Sequence, residues 1–166
     1  MQIDMTEKKQ PRVIKANYVL QAKVGSGPLD ERTVEKCQQV MDSADIDFAP
    51  LANEYLNKLE FAIIKVRSGE LTGQDAKQAM TQPVMELKAN ASTFKYDLIG
   101  NMANIMLSFL ETVKTLDKTV IEIVDVHHKT LKAILANKMK GDGGASGKAL
   151  EQELKDACKR YFQAKK

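Results

Sequence analysis

Two histidines stand side by side in this chain, His127 and His128, within Val-Asp-Val-His-His-Lys-Thr-Leu-Lys, and the sequence has no others. Imidazole ionises near neutrality, so an exposed histidine on a helix can carry a phosphoryl group. Helical spacing puts Lys132 one turn beyond His128 on the same face, where an ammonium would steady the added charge. His128 is the candidate carrier and Lys132 its support. His127 falls on an apolar stripe and reads as a hydrogen-bonded core residue. Neighbouring helical residues point about 100° apart, so the pair is poorly placed to share one ion. Asp125 and Lys129 do not complete a ligand set, and neither a metal site nor a cofactor is expected.

The resemblance to histidine phosphotransfer domains is partial. Their pattern is His-x-x-Lys-Gly, whereas here Thr130 and Leu131 stand three residues after the two histidines, and no glycine follows. A second fragment, Glu70-Leu71-Thr72-Gly73-Gln74, resembles the Asp-Leu-Thr-Gly-Gln segment of the chemotaxis phosphatase family CheZ. The resemblance implies a response-regulator phosphatase, with Glu70 and Gln74 entering the regulator and the glutamine orienting the attacking water. That family also has a long helical hairpin, a flexible linker and a short terminal helix that binds the regulator. This chain shows a similar gross order.

These residues must be positioned by helices. From Tyr96 to Lys140 there is no proline and a single glycine, Gly100. Apolar residues return every three or four positions, among them Leu98, Met102, Phe109, Val113, Leu116, Val120 and Ile123. The spacing predicts one continuous rod of roughly 65 Å. A greasy seam through Phe109, Val113, Leu116, Val120 and Ile123 would then call for a second copy, and a homodimer is expected.

Shorter helices precede it. One follows Pro28, with Val34, Cys37, Met41 and Ala44 as its apolar side. Another opens near Asp47 and Pro50 and stops at Ser68-Gly69. A third opens at Thr72 in a variant capping box, with Pro83 expected to kink or restart it. A corner is expected at 90–93. The run from Gly141 to Gly147 holds four glycines in seven residues and reads as a flexible linker. The helix beyond it carries Leu150, Leu154, Cys158 and Tyr161 on one side, a face that could bind a partner. The expected division is therefore an N-terminal arm over 1–29, a helical bundle over 30–140, a linker over 141–147 and a C-terminal helix over 148–166.

Composition narrows the function classes. The net charge is only +3, and the basic ends (Lys8, Lys9, Arg12, Lys15; Lys155, Lys159, Arg160, Lys165, Lys166) lack interleaved aromatics, so nucleic acid is not expected as a partner. There is no tryptophan, and the eight methionines suit an aliphatic, helix-packed core. Cys37 and Cys158 form no disulfide framework and read as buried free thiols of a cytoplasmic protein. The first residues do not read as a signal peptide, and there is no run of eighteen apolar residues, so no membrane span is expected. The expectation is all-α: an antiparallel bundle of about four helices with one very long helix and a tethered, amphipathic C-terminal helix. The expected function is a non-enzymatic intracellular adaptor or regulator, in a bacterial two-component or chemotaxis setting, with a response regulator as candidate partner.

Overall fold

A computed structural model of the chain describes residues 18–25, 27, 28, 30–43 and 47–165. The described residues are helical, with no strand among them. The chain divides into two compact units, Met1–Asp45 and Ile46–Lys166.

The first unit holds α1 (Val19–Val24) and α2 (Glu31–Ser43). Part of the expected N-terminal arm is thus helical; residues 1–17 lie outside the described residues, as does Ala44. Asp30 opens α2, its carboxylate accepting the N–H of Arg32 at 3.2 Å. Val34 and Val40 are exposed, and so is Cys37, whose thiol is therefore not buried as expected; Cys158 alone of the two cysteines is buried.

The second unit is built from α3 (Ala49–Arg67), α4 (Gly73–Ala91), α5 (Asp97–Thr112), α6 (Lys118–Ala136) and α7 (Gly144–Ala164). Asp47 starts α3, accepting the N–H of Ala49 at 2.9 Å, and Pro50 sits in the first turn where its missing donor costs nothing. The helix ends at Gly69, whose φ of +79° suits a residue without Cβ. Thr72 precedes α4 in an extended conformation, but its side chain makes no capping bond, so the expected capping box does not form. Pro83 lies buried inside α4 and does not restart it. The corner expected after Asn90 is present, α4 ending at Ala91.

α3 packs on α4 and α6, α4 on α5, and α5 on α6, which closes a ring. The loops 68–72, 92–96 and 113–117 are short, so neighbours in the chain run antiparallel. Arg67 meets Asp125 while Glu60 meets Lys132, the reversed order of an antiparallel α3–α6 pair. Inside the ring lie Leu56, Leu59, Met80, Leu87, Ile99, Met102, Met106 and Leu131, all almost wholly buried.

The single long rod expected over 96–140 is two helices. Val113 leaves the helix with φ −66° and ψ 135°, and Asp117 starts the next one by accepting the N–H of Val120 at 3.0 Å. The carbonyls freed at the end of α5 are met by Lys77, whose Nζ donates to Glu111 O at 3.0 Å and Val113 O at 3.1 Å. The apolar spacing runs through the break because both helices face one core: Val113 and Val120 are both buried. Phe109 is buried too, with Leu116 and Ile123 packed against the same cluster. The seam expected to recruit a second chain is spent within this one.

The glycine run is not a loose linker. α7 begins at Gly144, inside the run, and packs on α5 and α6. The turn before it is bonded to the start of α5: Leu98 N–H donates to Gly141 O at 2.8 Å, and Gly141 N–H to Lys95 O at 2.6 Å. A Cβ on Gly147 would collide with the carbonyl of Asp142 and lie 3.2 Å from Leu98 Cδ1. Glycine is needed here for close approach. Inside a helix Gly→Ala is ordinarily worth up to about 1 kcal/mol in favour of alanine. At this position the sign reverses: Gly147→Ala is expected to destabilise by about 1–3 kcal/mol. Urea denaturation checks this, and a midpoint at or above that of the parent contradicts the packing described.

Candidate functional site

α6 presents its histidines inward. His127 is 1% exposed and His128 2%. The Nδ1 of His127 lies 2.8 Å from Ile123 O, a carbonyl that can only accept, so Nδ1 carries the proton and Nε2 is the bare acceptor. That Nε2 faces Cys158 Sγ at 3.9 Å, on α7. The Nε2 of His128 donates to Leu56 O at 3.0 Å, tying α6 to α3. Burial lowers the pKa of both imidazoles from the ordinary 6.5. For His128, Glu60 works against burial and Lys132 works with it. Both rings are neutral, hydrogen-bonded and away from solvent, the opposite of what a phosphoryl carrier needs.

The expected support is also engaged elsewhere. Lys132 donates to Glu60 at 2.8 Å, and that bond is the main reason the Glu60 carboxyl sits below its usual range. Asp125, despite its partial burial, is held low by Lys129 and Arg67, each at 2.9 Å. The Arg67–Asp125 and Lys132–Glu60 pairs staple the outer seam between α3 and α6.

Glu70 and Gln74 sit at one end of the bundle, both exposed. Glu70 lies in the loop before α4 and pairs with Lys65 at 2.6 Å; Gln74 is in the first turn of α4. The helix begins only at Gly73, so the acid and the amide do not share one helical face. Between this loop and the 113–117 loop lies a cleft of about 410 Å³, lined by Thr72, Gln74, Lys77, Lys114 and Thr115 among others. A more apolar groove of about 460 Å³ runs between α6 and α7, past Val126, Thr130, Ala133, Met139 and Leu150.

The face expected to bind a partner through Leu150, Leu154, Cys158 and Tyr161 is used within the chain. Leu154, Cys158 and Tyr161 are buried, and Leu150 packs at the core's edge. Tyr161 meets Phe109 edge-on at 5.5 Å between centroids, and its hydroxyl donates to Asp117 Oδ2 at 3.0 Å. Lys165 reaches the same oxygen at 3.0 Å. The N–H of Val120 and then these two donors hold the Asp117 carboxyl below its ordinary 3.8. Asn101 adds a bond to Glu151 at 2.8 Å. Burial pushes the Cys158 thiol up to about 11, so it stays protonated and can donate toward His127.

Asp117 and the His127–Cys158 pair are the polar groups that sequence reasoning passed over. An aspartate three residues before Val120 is a readable helix start, though it was hidden inside an unbroken apolar period. Nothing in the sequence pairs residues 127 and 158. Among the described residues no group of three His, Cys, Asp or Glu side chains could hold a metal ion, and no helix is long and apolar enough to cross a membrane.

The buried imidazoles set a pH dependence. Both have folded-state pKa values below 6.5, so on acidification the unfolded chain takes up protons first. Their contribution is complete above pH 6.5 and is lost as pH falls from there through the lowered values. Glu60, Asp117 and Asp125 are themselves lowered from 4.5 or 3.8, so their contributions are lost only further into acid. His128→Leu keeps most of the volume and removes the bond to Leu56, costing about 1 kcal/mol at pH 7.5. The same variant is expected to lose less stability than the parent between pH 6.5 and 5. Urea midpoints across that range check this; equal losses would mean that His128 is not buried neutral. Compared with protein-family models, with curated proteins and with solved structures, the chain matches none.

Proposed function

We propose that this protein is a non-enzymatic, cytoplasmic helical adaptor or regulator that acts through protein–protein contacts, in a bacterial two-component or chemotaxis pathway with a response regulator as partner. The observation that carries the reading is the distribution of groups. Chemistry-bearing imidazoles are turned inward, while helix surfaces retain exposed apolar side chains. Phe61 and Ile64 on α3, Met85 on α4 and Val126 on α6 are each about half exposed. Single residues of this kind are ordinary. α2 is the stronger feature, since it is amphipathic and every side chain described on it is exposed. Helices of thirteen residues are marginal by themselves in water, and a partner groove would complete this one.

One specific observation favours a second reading, a response-regulator phosphatase. Gln74 is exposed in the first turn of α4, beside the cleft that Lys77 and Lys114 also line. A histidine phosphotransfer role has no comparable support, because the ring of His128 is 2% exposed.

Calorimetric titration with purified receiver domains, with and without beryllofluoride, tests the proposal. Binding that a Val34→Glu, Val40→Glu double variant weakens at least tenfold, with no change in the receiver's dephosphorylation rate, is the expected result. Faster dephosphorylation that Gln74→Ala removes would establish the phosphatase instead. Failure to bind any receiver in a broad panel would remove the signalling reading.

A further inference from the structure

The buried pair formed by His127 and Cys158 joins the outermost helix to the ring. Its geometry fixes the tautomer of the neutral ring. The Nδ1 hydrogen of His127 is committed to Ile123 O at 2.8 Å, one turn back on the same helix. The remaining nitrogen, Nε2, is therefore an acceptor, and what faces it is the thiol of α7 at 3.9 Å. The S–H donates and the imidazole accepts. A proton added at Nε2 turns the acceptor into a donor and places a full charge in a site with 1% exposure. No water-facing route lets the ring swing out without moving α7, because Leu154, Cys158 and Tyr161 are buried on the helix face that covers α5 and α6.

Among the described residues no carboxylate acts on that charge. On α6, Asp125 is paired with Arg67 and Lys129, and Lys132 is a cation. From α3 comes Glu60, which bonds Lys132 and acts on His128. The ionisable residues of α5, Asp97 and Glu111, stand in its first and last turns. On α7, Glu151 pairs with Lys155 and Asp156 with Lys159, while Tyr161 is bound to Asp117. Lys148, Glu153 and Arg160 are exposed. His128 differs from its neighbour here: its proton would meet Glu60 and Asp125.

We propose that His127 and Cys158 form an acid-sensitive latch, and that protonation of His127 loosens the middle of α7 from α5 and α6 while the ring α3–α6 stays folded. This is a property of the fold and stands apart from the adaptor reading. Each pH unit of fall below the ordinary imidazole value of 6.5 multiplies the loosened population by up to about tenfold, until the buried ring itself titrates.

The two cysteines provide the readout, since Cys37 is exposed and Cys158 is buried. The full-length protein is labelled with 4,4′-dithiodipyridine, which reacts with thiols in acid, at pH values from 7.5 to 5. Mass spectrometry gives the ratio of Cys158 to Cys37 labelling, and amide exchange over α3 and α4 reports the ring. The ratio is expected to rise progressively as pH falls from 6.5 to 5, by no more than about tenfold per pH unit, with ring protection intact, and to stay flat in His127→Leu. His127→Gln, which keeps an acceptor and cannot titrate, is the second variant should the first fail to fold. A flat ratio in the parent overturns the proposal. So does a rise that persists in the His127 variants, or loss of α3 and α4 protection at the same pH.

Discussion

A helix cannot cover its own apolar stripe, and the partner that covers it must match it in length. α3 and α4 have nineteen residues each, about 28 Å of helix. A continuous helix over 96–140 would overhang them by more than half its length and leave a greasy seam in water. Breaking it at 113–117 folds the overhang back, so α5 and α6 become two sides of one ring of matched lengths. The break depends on Asp117. Its Oδ1 starts α6 through Val120 N–H, and its Oδ2 receives Tyr161 and Lys165 from α7. One carboxylate thus starts one helix and anchors the end of another.

The helix ends marked by special backbone chemistry were legible in the sequence. Pro50, Gly69 and the corner after Asn90 all bound helices where expected. The break in the rod was not, because the loop contains neither glycine nor proline and both sides of it face the same core. The period of three and four reports burial, and burial continued across the gap. The glycine run failed for a related reason. Composition cannot distinguish glycine that grants freedom from glycine that permits contact. Here Leu98 fills the space beside Gly143 and Gly147, and the turn is bonded to Lys95 and Leu98.

The histidines show why residue type and spacing alone overstate chemistry. Adjacent imidazoles with lysines nearby resemble a reactive centre in one dimension. In three dimensions one ring bonds its own helix and a thiol, the other bonds α3, and the lysines turn outward to carboxylates. Among the described residues no buried side-chain polar atom lacks a partner. A site built for a ligand usually leaves some such group waiting. The exposed apolar side chains lie elsewhere, on α2 and on the outer faces of α3 and α6.

The two polar anchors of α7 answer to different ranges of pH. Asp117 is held below 3.8, so it keeps Tyr161 and Lys165 throughout the range in which an imidazole titrates. The glycine turn at the other end is fastened by backbone bonds that do not titrate at all. Between them lie the Asn101–Glu151 bond and the His127–Cys158 contact, and of these the latter holds the imidazole that takes up a proton below its ordinary 6.5. α7 is therefore fixed at both ends and conditional in the middle. Loosening there exposes the apolar surface around Leu154 and Cys158 without letting the helix leave. Re-docking needs no search, so the change reverses as soon as the proton departs.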